Sequence, residues 1–303
     1  VRGRNALSAR KRTGRFLADG RNERENQRRG KRETGMIPSF EIQGKVVVVT
    51  GGGGVICGGQ AKMCGESGAK VAILDRSLEA AEAVAAEINA GGGEAGGLSC
   101  DVLDKTAIEA ARDAILAKWG RVDILINGAG GNKPAATTNA ERNFFDLPEW
   151  VLNLNLLGTI LPSQVFGKVM AEHGEGVILN ISSMNAFRPL TRIPAYSAAK
   201  AAINNFTQWL AVDIAMNFSP KIRVNAIAPG FFVGNQNRDL LYHQGTKELT
   251  PRGQQIVSHT PMGRFGEFEE LLGATLYLIS PASNFVTGVV LPIDGGFSSY
   301  TGV

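Results

Sequence analysis

Cysteine and histidine are scarce in this chain, with three of each among 303 residues. Cys57, Cys64 and Cys100 form no Cys-x-x-Cys pair and their number is odd, which points to reduced thiols in a cytoplasmic protein. His173, His243 and His259 lack the spacing of metal ligands, so no metal catalysis is expected. No apolar run approaches the ~18 residues that span a bilayer, so no membrane role is expected. Positive charge is short in the body of the chain. Residues 1–35 hold 12 Lys+Arg and 4 Asp+Glu, leaving 20 and 24 for the rest. That basic arm lacks the interleaved aromatics of a nucleic-acid binder, the clean amphipathic helix of an import signal and the apolar core of a secretion signal. We expect residues 1–35 to be a disordered extension ahead of a start at Met36, with no nucleic-acid partner.

What the chain has is apolar residues (44%) and 38 glycines, enough to bury the core of one large α/β domain over residues 36–303. From residue 45 short apolar runs alternate with helical patterns. Strands are expected at 45–50, 70–75, 95–100, 122–127, 176–182, 221–228 and 287–291. Helices are expected near 55–67, 78–90, 104–118, 147–173, 195–218 and 267–280. This order predicts a single-domain Rossmann-type doubly wound parallel sheet of about seven strands. Residues 230–262 show no strand pattern, and a loop of that length after a strand end suggests a lid or binding element.

Val46 to Thr50 leads into Gly51, Gly52, Gly53 and Gly54 and then a helix start, the arrangement in which backbone N–H groups approach a pyrophosphate. Asp75 ends the second strand about twenty residues on, where a carboxylate accepts hydrogen bonds from ribose hydroxyls and repels a 2′-phosphate. NAD is therefore expected over NADP, with Arg76 placed to stack on adenine or bind a phosphate. The competing role for Asp75 is a helix N-cap.

Tyr196 and Lys200 are i and i+4 neighbours on the helix expected over 195–218, so their side chains share a face. Bringing a phenol from a pKa of ~10 to ~7 takes roughly 4 kcal/mol of preferential phenolate stabilisation, much of which an adjacent ammonium can supply. Ser183 stands at the end of an apolar strand, where its hydroxyl can bond a substrate oxygen. Alone, a Tyr-x-x-x-Lys pair is more readily packing plus a solvated charge.

Taken together, these residues resemble the short-chain dehydrogenase/reductase family, and the resemblance spans residues 40–303. It implies an active site of Ser183, Tyr196 and Lys200, with Asn155 holding a proton-relay water and Lys200 also touching the nicotinamide ribose. It implies a cofactor site of Gly51, Gly54, Val55, Ile56, Gly58, Asp75 and Arg76, with Asp101 and Val102 at the adenine. Asn127, Gly128 and Ala129 would lie under the cofactor, and Pro229 and Gly230 beside the nicotinamide. Val55 and Cys57 replace the family's second and third turn glycines, which makes Gly54 and Gly58 the expected close-approach residues. Gly234 stands where many members carry a threonine for the carboxamide.

Segments around Asn127–Lys133, Ser182–Phe187, Ala228–Phe232, Asn235–Arg238 and His259–Phe265 further resemble the family's D-mannonate oxidoreductase (fructuronate reductase) branch. That resemblance implies NAD-linked interconversion of D-mannonate and D-fructuronate. Asn132, Asn185, Asn235 and Gln236 are candidates for substrate hydroxyls; Lys133, Arg188, Arg192 and Arg238 are candidates for the carboxylate, Arg238 first. The alternatives are another polyol, a gluconate-type acid, a 3-oxoacyl thioester or a non-catalytic dinucleotide-binding regulator. A homotetramer or homodimer is implied, joined through the helices near 147–173 and 195–218.

Overall fold

The computed structural model describes residues 39–139, 148–234 and 237–302. The extension expected over 1–35 lies outside the described residues, as do Asn235 and Gln236. Seven strands lie side by side: β1 (Val46–Thr50), β2 (Lys70–Asp75), β3 (Glu94–Ser99), β4 (Ile124–Asn127), β5 (Gly176–Ile181), β6 (Ile222–Pro229) and β7 (Val290–Ile293). All six pairings are parallel, in the order β3-β2-β1-β4-β5-β6-β7. Continuous apolar runs such as that of β1, buried along its whole length, suit a sheet covered on both faces.

The helices α1 (Val55–Glu66), α2 (Leu78–Ala90), α3 (Lys105–Trp119), α4 (Gly158–His173), α5 (Pro194–Asn217), α6 (Arg238–Leu241), α7 (Pro251–His259) and α8 (Leu272–Ile279) supply that cover. One core packs Val47, Val49, Ile73 and Ile126 against α1, α2 and α8. The other packs Val46, Val48, Leu125 and Ile178 against α3, α4 and α5. The order reverses between β1 and β4, and loops at that carboxyl edge of the sheet form the crevice where ligands of such folds bind. Among the described residues no helix is long and apolar enough to cross a membrane.

Three departures from the expected elements bear on the site. The helix expected over 147–173 is broken: a turn at Trp150–Leu152 passes into a π-helical stretch, Asn153–Leu157, before α4. Residues 230–262 are not one loop; they contain α6 and α7, the latter started by Pro251 and capped by Thr250, whose side chain accepts from the Gly253 N–H. Leu241 and Ile256 from these helices join Met184, Phe265 and Phe297 in a satellite core. The last strand begins three residues later than expected, because Gly288 at φ 78° makes a turn ahead of it.

Candidate active site

The glycine turn closes against β4. Gly51 has φ 65°, and a Cβ there would lie 2.8 Å from the Ala129 Cα, so only glycine fits. Thr50 Oγ1 accepts from the N–H groups of Gly128 and Ala129 at 3.1 and 3.3 Å, tying the end of β1 to that of β4. Helix α1 starts after Gly54 with no side-chain cap and no acid in its first turn, leaving its N-terminal amides for an anion. Val55 is exposed at this helix start. Gly58 does not face the crevice: its N–H donates to the Gly54 carbonyl, and a Cβ would point at the Gly52 carbonyl (3.2 Å) and Val84. It is a packing glycine rather than the close-approach residue expected.

Cys57, in the place of a third turn glycine, is accommodated from the other side. Its Sγ fills the space in which a Gly128 Cβ would lie, at 1.9 Å. Burial pushes this thiol up to about 12, so it packs as a neutral apolar group.

Asp75 is not a helix N-cap; Ser77 caps α2 by accepting from Ala80 N–H. Instead the Asp75 carboxylate is clamped, with Oδ2 accepting from Gly53 N–H at 3.1 Å and Oδ1 from Ser77 N–H at 3.0 Å. Each oxygen keeps lone-pair capacity for ribose hydroxyls, and a phosphate placed there would meet a fixed negative charge. These residues fit a dinucleotide without a 2′-phosphate. Arg76 adjoins this site in sequence, and Asp101 Oδ1 accepts from Leu103 N–H after β3. Val102 is buried with its Cγ2 against Gly158. Gly230 packs over Asp294, where a Cβ would lie 2.6 Å from the Asp294 Cα, and fixes the turn after Pro229. The Asn127 Nδ2 donates to Ser163 Oγ and Asn180 Oδ1, both at 2.9 Å, while its buried Oδ1 finds no partner among the described residues.

Ser183 follows β5 and Tyr196 opens α5, with the serine hydroxyl near enough to the phenol to favour its ionised form. Lys200 runs beneath the tyrosine, its Nζ 5.5 Å from the ring centroid, and donates to the Ile181 carbonyl at 2.7 Å. The expected lowering of the phenol pKa by this ammonium is not found. Burial pushes Tyr196 up and the Ser183 hydroxyl opposes it, while Lys200 is not among the groups that move it. Burial instead pulls Lys200 down to about 8. The i, i+4 spacing brings the two side chains together, but the ammonium is directed to strand β5.

Asn155 sits in the π-helical stretch, fully buried. Its Nδ2 donates to the carbonyls of Gly131 and Val151, both at 2.8 Å, and its Oδ1 accepts from Gly131 N–H at 2.9 Å. A Cβ on Gly130 would lie 2.7 Å from that oxygen and 3.5 Å from Lys200 Nζ, so both groups flank Gly130. With its donors committed to backbone, Asn155 fixes the loop after β4 rather than offering an N–H to a relay water.

Of the substrate candidates, Asn132 and Asn185 each present a buried Oδ1 that finds no partner among the described residues, as does Ser197 Oγ. Arg188 donates through Nε to the Ser298 carbonyl at 3.2 Å and borders a cavity. Arg192, exposed at φ 74°, lies beside Arg252, a residue the sequence pattern did not single out. Arg238 does not join them: it is exposed, with its guanidinium 5.4 Å from the Tyr242 ring centroid. Lys133 lies over Trp150 at 5.8 Å. Asn237 was equally silent in the sequence; it accepts from Gly234 N–H and donates to the Phe232 carbonyl, both at 2.8 Å, bracing the turn after β6.

A Rossmann sheet whose carboxyl edge carries a serine, a tyrosine and a buried lysine has the architecture of a dinucleotide-linked oxidoreductase. The family model for short chain dehydrogenases matches residues 45–243, and the chain belongs to that family. It is an NAD(P)-dependent dehydrogenase acting on a CH–OH group. Among its relatives is an uncharacterized oxidoreductase of Haemophilus influenzae, 53% identical, with 88% of this chain and 97% of the relative covered. Another is the uncharacterized oxidoreductase UxuB of Bacillus subtilis, 49% identical over 88% of this chain and all of the relative. A crystal structure from Haemophilus influenza with bound NAD, whose proposed activity is that of a D-mannonate oxidoreductase, is 52% identical. It superposes with a TM-score of 0.81 over 87% of this chain and 98% of that one.

Proposed function

We propose that the protein is an NAD-dependent sugar-acid dehydrogenase that interconverts D-mannonate and D-fructuronate. The observation that carries this reading is Ser183 and Tyr196 gathered above a buried Lys200, next to a carboxylate-bearing dinucleotide cradle. NAD supplies the hydride acceptor. The amides at the start of α1 and the turn Gly51–Gly54 hold its pyrophosphate, Asp75 takes the adenosine ribose hydroxyls, and Asp101 and Val102 border the adenine. Val55, Ile56, Gly128, Ala129 and Gly230 would shape the cleft, and Lys200, with donors beyond the one given to Ile181, would hold the second ribose.

Tyr196 moves the proton of the reacting hydroxyl as general base in oxidation and general acid in reduction. Ser183 orients the same oxygen. Lys200 keeps positive charge beneath the phenol, and Asn155 holds the Gly130–Gly131 backbone against which that lysine lies. The unpartnered oxygens of Asn132 and Asn185 suit the hydroxyl groups of a polyhydroxylated substrate, which a 3-oxoacyl chain lacks. The likeness to the NAD-bound structure supports the choice of acid and cofactor.

Hexonates, hexuronates, neutral hexitols and an acetoacetyl thioester, followed by NADH absorbance with NAD and NADP, test the reading. D-mannonate with NAD should give the highest kcat/KM. Tyr196→Phe should lower turnover a hundredfold or more with little change in NAD affinity. Retained turnover in that variant, or NAD binding with no turnover on any compound, would refute it. Trp209, Val212 and Met216 form an exposed apolar stripe on α5, which we assign to contact with further copies of the chain in a homotetramer or homodimer. Light scattering should read two or four chains. The three free thiols, all buried, suit a cytoplasmic protein.

A further inference from the structure

The loop from Ser183 to Tyr196 and helix α7 border an open cavity of about 300 Å³, at the small end of the range for ligand pockets. Arg188 and Thr191 come from the loop, Arg252, Gln255 and His259 from one face of α7, and Phe297 from the end of the chain. Neither wall contributes a carboxylate. We propose that this cavity is the subsite for the carboxylate of the substrate, with Arg252 as its anchoring cation. This assignment rests on the sugar-acid reading above and names the residue that gives it charge selectivity.

Three observations carry it. Arg252 has no hydrogen bond or ion pair among the described residues, and the charged group that acts on it is another cation, Arg192. Burial and that like charge both pull its guanidinium below the ordinary arginine value, although an arginine stays protonated. The site therefore holds positive charge that an anion would relieve, with a planar fork suited to bidentate carboxylate binding. The second observation is position. The loop that forms one wall joins the two candidate catalytic residues directly, and Met184, next to Ser183, packs against Ile256 of α7 and Phe297. The third is polarity: the hydroxyl of Thr191 and the amide of Gln255 border the same space and can bond a neighbouring hydroxyl or the second carboxylate oxygen.

The test uses Arg252→Ala and Arg252→Lys in the NAD-loaded full chain, with D-mannonate, D-gluconate and a neutral hexitol of the same length. Arg252→Ala should raise the hexonate KM, and the hexonate dissociation constant by calorimetry, ten- to a hundredfold more than it changes kcat, the size of a lost charge-assisted hydrogen bond. The preference for hexonate over hexitol should fall by the same factor, and Arg252→Lys should restore part of it. A hexonate KM within twofold of the parent, or an equal loss for acid and hexitol, overturns the subsite while leaving the dehydrogenase reading intact. Arg252-dependent hexonate binding without turnover in the parent would sink the dehydrogenase reading and leave the subsite standing. If hexonate neither binds nor turns over, both fall.

Discussion

Replacing Lys200 with Met should make the protein more stable while removing its activity. Burial lowers this lysine from an ordinary value of 10.5 to about 8, so at pH 7 the folded chain carries an ammonium that the unfolded chain solvates more easily. At about 1.36 kcal/mol per unit, holding that charge costs about 3 kcal/mol. A methionine of similar length removes the charge but leaves the Ile181 carbonyl without its donor, a loss of about 1 to 2 kcal/mol. The net gain is about 1 to 2 kcal/mol, or about 2 to 8 °C in Tm for a domain of this size. The pH dependence separates this cause from improved packing. Between about 8 and 10.5 the unfolded chain holds a proton that the native lysine has released, so parent stability rises with pH across that window. The advantage of the Lys200→Met variant should shrink over the same window, pass through zero within it and end at its top as a deficit of about 1 to 2 kcal/mol, the lost Ile181 hydrogen bond alone. Urea melts at pH 7, 8.5 and 10 measure it. A variant less stable than the parent at pH 7, or an advantage that does not change with pH, would refute the electrostatic account.

The thiol of Cys57 occupies the space of a Gly128 Cβ, so Gly128→Ala should cost about 1 to 3 kcal/mol in denaturant melts, and Cys57→Ala in the same chain should recover most of it; additive losses would show that the two do not compete for space. Asp75→Ala should raise the NAD Michaelis constant much more than the NADP one, since it removes both ribose acceptors and the charge that repels a 2′-phosphate; equal changes would remove Asp75 from the cofactor site. Arg192, the single non-glycine residue with positive φ among those described, should tolerate Gly but not Val. The two variants should differ by about 2 kcal/mol in thermal melts, and equal stability would mean that the loop relaxes out of its left-handed turn.

The strand order and the dinucleotide turn were legible because β1, β2, β4, β5 and β6 are apolar runs bounded by glycine or a polar residue, and their limits fell within two residues of expectation. The break in the helix over 147–173 was not, since a π-helical stretch at Asn153–Leu157 adds no proline and hardly disturbs the apolar spacing. Helix α7 escaped for a related reason: nine residues with two buried positions give too few turns for a period to register. Tyr196 and Lys200 come together as their spacing implied, but the direction of the Lys200 side chain depends on a carbonyl of β5 nineteen residues away. Arg252 was illegible because an arginine in a polar stretch reads as solvated, and only the approach of the 188–191 loop half-buries it beside a cavity. Arg238 was the converse, an arginine in the segment expected to bind substrate whose helix turns it onto Tyr242.

The asparagines Asn127 and Asn180 stand opposite each other in register on β4 and β5, and their amides continue outward to Ser163 on α4 and to Thr207 on α5. Each hydroxyl passes the connection to its own helix backbone, at the carbonyls of Thr159 and Ile203. Apolar contacts alone would let either helix slide by a fraction of a turn at little cost, whereas a slip here would strand several buried donors. The result is a crossbar along one face of the sheet that indexes α5, with Tyr196 and Lys200, to α4 and the adjoining stretch that carries Asn155. The candidate substrate loops after β5 and β6 hang outside this crossbar, so they can be rebuilt for a different acid or alcohol without moving Tyr196 and Lys200.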